Sequence, residues 1–210
     1  MHFSIMRWLG TPILLSIALL SALPAPAIEQ PKYEVLEESE GLEIRRYEPQ
    51  IVARTLVEGS LKNAGNEGFK RLANYIFGGN ESSQDIAMTA PVTQTPQLDA
   101  ETDDKFWIVF HMPNEYGLED LPAPDDPLVE LIAEPTRTLA VVRYKGSWSE
   151  KRYRTHEAKL EALIDQHAEW KRSGEMIWAR YDPPFKPWFA RTNEVAVEVT
   201  RINSKEEETR

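Results

Sequence analysis

The pattern of apolar positions along this chain occurs twice, and that repetition limits the folds open to it. Residues 33–36, 42–47 and 51–57 read as strands. Gly41 separates the first two, Leu42, Ile44 and Arg46 alternate with Glu43, Arg45 and Tyr47, and Pro49 turns the chain before a β-branched third. A helix follows over 62–77, with Phe69, Leu72, Ala73 and Ile76 at the spacing of one helical face and Gly78-Gly79 as its stop. Strands are expected over 91–96 and 105–112. After a Pro- and Asp-rich connector at 120–126, strands at 128–133 and 138–144 lead to a second helix at 150–166 carrying Leu160, Leu163 and Ile164. Strands at 176–181 and 194–201 then close the domain. Gly146-Ser147 follows Gly59-Ser60 by 87 residues, so strand-strand-helix-strand-strand is written twice, as a repeat of pattern rather than of identity. Two such units predict an α+β domain in which two sheets share a core and helices cover the outside.

The ends of the chain read differently. Residues 1–27 have the form of a secretory signal: Arg7 in the n-region, an apolar run over 13–20, and Ala25-Pro26-Ala27 as a small-x-small cleavage site. The apolar run is short for a bilayer span, which needs about 20 residues. The protein is therefore expected to be exported, most plainly to a periplasm, with mature chain from Ile28, no stable membrane insertion after cleavage, and a monomeric domain over 28–203. Residues 204–210 form a charged tail expected to be disordered. Removing Arg7 leaves 23 basic against 34 acidic residues, a net charge of −11. Nucleic acid is excluded as a partner on that balance, because phosphate binding needs a basic face. Cysteine is absent, so packing alone supplies stability and no thiolate ligand or C-x-x-C-H attachment exists.

Catalytic patterns are lacking. The adjacent acids Glu37-Glu38, Asp103-Asp104 and Asp125-Asp126 form no acid/base pair, and no G-x-S-x-G, H-E-x-x-H or phosphate loop occurs. On this count the chain reads as non-enzymatic. His2 falls in the leader, and His156 and His167, 11 residues apart on the second helix, read as solvated surface residues too distant to share a metal. His111 is different. Alternation puts Phe106, Ile108, Phe110 and Met112 on one face of its strand and Trp107, Val109 and His111 on the other. A lone strand histidine is more often structural than a ligand, and both readings stay open. Met88 reads as core filler in preference to a thioether ligand. Asn80-Glu81-Ser82 matches a glycosylation sequon.

Two motifs carry a family resemblance. Ile86-Ala87-Met88-Thr89-Ala90-Pro91-Val92 after the first helix, and Tyr181-Asp182-Pro183-Pro184-Phe185-Lys186-Pro187-Trp188-Phe189 followed by Arg191 and Asn193-Glu194-Val195, resemble the SOUL haem-binding family. The resemblance covers about Tyr33 to Arg201. It implies a pseudo-twofold distorted antiparallel β-barrel flanked by two helices. It also implies a cleft for haem or other porphyrins, with a small-molecule tetrapyrrole as partner. In that cleft Phe69 and Ala73 with the aromatic segment of Trp178 and Tyr181 would supply the walls, and Asn66 would line the entrance. Arg180 and Arg191 would meet the propionates, since guanidinium binds carboxylate in a bidentate fork. Arg46 stands where a relative can carry histidine, and it has no lone pair for iron. Binding would then rest on burial, on Tyr47 or Tyr181, or on His111 as metal ligand, and iron coordination is expected to matter less than apolar contact. On this reading Phe69→Asp lowers haem affinity at least about tenfold. Two further readings stay open: an enzyme acting on haem, and an effector-sensing module for hydrophobic cations, which the acidic charge would attract.

Overall fold

The computed structural model describes residues 28–97 and 104–202. The expected leader and charged tail lie outside these residues. Eleven elements of regular structure follow the twice-written order: β1 (Tyr33–Ser39), β2 (Leu42–Tyr47), β3 (Gln50–Glu58), α1 (Leu61–Ile76), β4 (Val92–Pro96), β5 (Lys105–His111), β6 (Glu130–Glu134), β7 (Arg137–Lys145), α2 (Glu150–Asp165), β8 (Trp170–Arg180) and β9 (Thr192–Arg201). β8 starts six residues before the expected strand, because Gly174 sits in an irregularity between Arg172 and Met176 that masks the period-two signal.

The strands form one antiparallel sheet in the order β1-β2-β7-β9-β8-β4-β5-β3-β6. Its centre is the β4–β8 pair, and around that seam β4 corresponds to β8, β5 to β9, β3 to β7 and β2 to β6. The first strand of each unit is exchanged: β2 pairs with β7 of the second unit, and β6 pairs with β3 of the first. The expected pair of sheets is therefore a single sheet.

The sheet is open, so the barrel implied by the resemblance is not confirmed. Its end strands β1 and β6 do not pair with each other. Both carry carboxylates, Glu34, Glu37 and Glu38 on one and Glu130 and Glu134 on the other. Closing the sheet would bring like charges together, a common protection of strand edges.

Both helices lie on one face. The cross-strand row Thr55, Ile108, Gln94, Trp178, Val195, Val142, Leu42 runs under them, and each of its members is buried. The alternation expected in β5 is the one observed, with Phe106, Ile108 and Phe110 in this core. The buried stripe of α1 is Leu61, Ala64, Gly65, Gly68, Leu72, Tyr75 and Ile76, rotated from the expected one. Phe69 sits at its margin, 36% exposed, edge-on to Phe110 at 5.4 Å. α2 buries Tyr153, Glu157, Leu160 and Ile164.

Several smaller expectations change. Asn80 is buried and its side-chain amide bonds the Tyr75 and Gln84 carbonyls, so the sequon is not available in the folded chain. Met88 is substantially exposed rather than core filler. His156 stacks on Tyr144 at 3.8 Å and His167 bonds Glu37 at 3.0 Å, so neither is a freely solvated side chain.

Gly68 sets the distance between α1 and β5. A Cβ there would lie 2.3 Å from Ile108 Cγ1, a branched side chain that is itself fully buried. Gly68→Ala is expected to destabilise the fold by about 1–3 kcal/mol, the usual range for overpacking, read as a lowered midpoint in chemical denaturation with unchanged slope.

Candidate functional site

Among the described residues no helix covers the other face of the sheet, and its side chains are short along the middle. The row Arg54, Val109, Thr93, Ala179, Glu194, Arg143 crosses five strand pairings with Val, Thr and Ala at its centre. Residues from strands at both ends of the sheet line one groove over this low floor, with a cavity of about 210 Å³ that opens to solvent. Leu139, Ile177 and Ala196 extend the apolar floor, and Trp107 and Tyr33 stand among its walls.

One end of the groove is a buried charge cluster. Glu194 is 2% exposed and accepts from Arg45 at 3.0 and 3.1 Å, from Arg143 at 2.7 Å and from the Tyr181 hydroxyl at 2.6 Å. Arg45, fully buried, also bonds Glu43 and the Tyr47 hydroxyl and lies over the Tyr33 ring at 4.5 Å. Burial opposes both charges, yet the mutual hydrogen bonds win: Glu194 is held below the usual carboxylate range and Arg45 is raised. Tyr47 is pushed up to about 12, mainly by burial and against the pull of Arg45. Burial and the Glu194 charge drive Tyr181 upward as well. Both phenols therefore stay protonated at neutral pH.

The opposite end carries His111. Its Nδ1 lies 3.0 Å from Gln50 Oε1, and Gln50 Nε2 donates to Glu134 at 3.2 Å. Burial, with a smaller contribution from nearby Arg137, lowers His111 to about 4. Arg54 stacks on Trp107 at 4.0 Å and bonds Glu130, while Arg137 makes two long contacts, 3.4 Å each, to Glu134 and Glu198. Among the described residues no cluster of three or more His, Cys, Asp or Glu could hold a metal ion.

The strand alternation that builds the groove also divides the residues expected at the cleft. Tyr181 and His111 line the groove. Trp178 and Arg180, one position out of phase with Tyr181, face the helices. Trp178 is buried between Phe106 and Tyr153 and does not line the groove. Arg180 bonds Gln94 at 2.8 Å and Tyr153 at 3.0 Å. Asn66, Phe69 and Ala73 lie on α1, across the sheet from the groove, with Asn66 exposed and Ala73 half-buried. Arg191 bonds the Lys186 carbonyl and stacks on Trp148 at 4.3 Å. Phe185, Trp188 and Phe189 are exposed and do not line the groove.

Sequence reasoning missed Gln50, Arg54, Glu134, Arg137 and Leu139 as groove residues. No single strand signals them, because they converge through pairings between distant segments. The two motifs of the resemblance do meet here. Thr89 Oγ1 donates to the His111 carbonyl at 2.5 Å and Pro91 lines the groove, while the second motif supplies Tyr181 and Glu194.

The low value at His111 has a measurable sign. Its folded value lies below the ordinary 6.5, so the unfolded chain binds the proton first. Stability should fall as pH drops from about 6.5 toward about 4 and level off below that. In an NMR titration the His111 imidazole is expected to change charge near pH 4, and His111→Gln should flatten the stability profile in that window.

Comparison with known proteins agrees with the motifs. The family described as SOUL heme-binding protein matches residues 28–198. Heme-binding protein 1 of Xenopus laevis is 30% identical over 156 residues, covering 73% of this chain and 80% of that protein. Heme-binding protein 2 of Mus musculus is 26% identical over 186 residues, covering 82% and 90%. Among solved structures, the EcmrR C-terminal domain aligns with a TM-score of 0.59 at 11% identity over 81% of this chain and 99% of that one. A hydrolase from Listeria innocua aligns at 0.52 and 10% identity over 79% and 94%. At these identities the structural likeness is one of fold alone.

Proposed function

Since the chain belongs to the SOUL heme-binding protein family, we propose that it binds haem or a related tetrapyrrole reversibly in the open groove of the sheet, without catalysing a reaction on it. The observation that carries this reading is the floor of short side chains between an end that holds His111, Arg54 and Arg137 and an end closed by the neutralised Glu194 cluster. Val109, Leu139, Ile177, Ala179 and Ala196 offer apolar surface to a flat ring, and each Å² of it removed from water contributes roughly 25 cal/mol. Arg54 and Arg137 stand on the lining, in partly exposed ion pairs with glutamates. Such pairs are weak, worth about 0–1 kcal/mol, so propionate carboxylates can replace those glutamates. The cavity, about 210 Å³, is smaller than the roughly 300–1,000 Å³ of pockets that enclose a ligand. The ring would therefore be held with its polar edge in water, which suits loading and release. Bound haem would supply an iron able to take a nitrogen or oxygen donor.

The cation-binding alternative meets a specific obstacle. Glu194, the deep carboxylate of the groove, is already neutralised by two arginines and a phenol. A hydrophobic cation would find no vacant negative partner there, despite the acidic charge of the chain as a whole.

Two variants separate the groove from the helix face. Ala179→Phe fills the floor and should weaken haem binding at least tenfold, about 1.4 kcal/mol, in a Soret titration with an unchanged circular dichroism spectrum. Phe69→Asp, across the sheet, should leave affinity as it is. The reverse pattern would move the site to α1, and progressive loss of the Soret band during incubation would indicate an enzyme.

Export is part of the same proposal: a carrier of this kind would work outside the cytoplasm, most plainly in a periplasm. Intact mass of the exported protein should then correspond to a chain beginning near Ile28. Retention of residues 1–27 in that fraction would refute it.

A further inference from the structure

The loop between β8 and β9 presents three large aromatic side chains to water. Phe185 is 87% exposed, Trp188 56% and Phe189 64%. They line neither the groove nor the smaller cavity beside Pro49 and Tyr116. The loop is built to keep them outward. Pro183, Pro184 and Pro187 fix their own backbone torsions. Arg191 donates from Nε to the Lys186 carbonyl at 2.8 Å and from Nη2 to the Pro184 carbonyl, and its guanidinium lies over the Trp148 ring at 4.3 Å. Asp182 closes the base, pairing with Lys186 at 2.6 Å and accepting from the Thr192 amide. The Trp188 and Phe189 rings meet edge to face at 5.8 Å.

We propose that this tip docks the protein reversibly on an anionic lipid surface. Phe185, Trp188 and Phe189 enter the interfacial layer, and the basic residues around them meet the lipid phosphates. Docking of this kind is peripheral, driven by buried apolar area and by attraction to anionic headgroups.

Size and charge favour lipid over a protein partner. With aromatic side chains of about 150–250 Å² each, the tip offers roughly 300–500 Å², below the about 800 Å² per partner of a stable protein interface. A bilayer interface requires no matching pocket, and tryptophan is concentrated there because its ring is apolar and its N–H polar. The charge beside the tip is basic. Lys145 donates to the Thr192 hydroxyl at the end of the loop, and Arg152 lies against Gly146, whose amide bonds the Arg191 carbonyl. Among the described residues Lys145, Arg152 and Arg191 form no salt bridge, and Asp182, which lies in the field of Lys145, is already taken by Lys186. Glu150, at the start of α2, pairs with Arg154. A chain of net charge −10 thus carries a local basic excess at its aromatic tip. Acidic residues further from the surface than the Debye length, about 8 Å at physiological salt, are largely screened, so the local balance orients the protein.

The test is partition of the purified protein onto sedimenting vesicles of phosphatidylglycerol and phosphatidylcholine in equal parts, and onto phosphatidylcholine alone. Residues 1–27, where present, are common to wild type and variants and cannot produce a difference between them. The triple variant Phe185→Ser/Trp188→Ser/Phe189→Ser should lower partition onto the anionic vesicles about tenfold or more, with circular dichroism and the denaturation midpoint unchanged. Should it fail to fold, Phe185→Ser alone, at the most exposed position, should lower partition about threefold. Lys145→Gln with Arg152→Gln should weaken binding to anionic vesicles about tenfold and leave binding to neutral ones unaffected. Brominated lipid should quench a fluorescence component that is missing in Trp188→Phe. Equal partition of wild type and the triple variant, or equal quenching in Trp188→Phe, overturns the proposal. So does self-association that disappears in the triple variant while vesicle partition stays the same, which would make the tip a contact between copies of this chain.

Discussion

The fold depends on a seam three residue pairs long. Only Val92–Arg180, Thr93–Ala179 and Gln94–Trp178 join β4 to β8, and with them the two halves of the sheet. A polar chain secures it from the helix side. Gln94 Nε2 donates to the Leu61 carbonyl at the start of α1, Gln94 Oε1 accepts from Arg180, and Arg180 Nε donates to the Tyr153 hydroxyl on α2. One buried amide and one guanidinium thus tie both helices to both halves. Gly65 allows this, since a Cβ there would lie 2.9 Å from Gln94 Oε1 and 3.0 Å from Arg180. Buried polar groups of this kind are tolerated only when fully bonded, and here the bonding spans the domain.

Placing both helices on one face decides the chemistry of the other. A helix-free sheet face has to be covered, wetted or used. Here its middle is short and apolar and its ends are polar, with the charge at one end internally neutralised. The Arg45–Glu194 pair explains how an acidic chain keeps an arginine-lined groove without an exposed carboxylate at its base. Removing one partner of such a buried pair commonly costs about 3–5 kcal/mol, so the cluster fixes the shape of that end as well as its charge.

The element order, the two helices and the facing of β5 were legible in the sequence because each is a local periodicity. Family membership was legible in two motifs. The sheet's continuity was not, since the exchange of β2 and β6 is a pairing between segments about 90 residues apart. The stripe of α1 was misread because Gly65 and Gly68 carry no hydrophobic signal yet form its closest contacts. The candidate site was half legible. His111 and Tyr181 were identified, but Trp178 and Arg180 were grouped with Tyr181 by proximity along the chain. In a strand, adjacent residues face opposite ways, and the sheet separates them. Gln50 and Glu134 had no signal of their own, since they meet His111 only through the pairing of distant strands.

The exchange of first strands also governs how the molecule comes apart. Each half lends the other an edge, so β3 without β6 and β7 without β2 would present an unpaired flank to water. Neither half is a self-sufficient folding unit, and loss of one exposes the other. The pseudo-twofold design therefore gives a single cooperative transition from two structurally equivalent parts, in the manner of two hands clasped by their outer fingers.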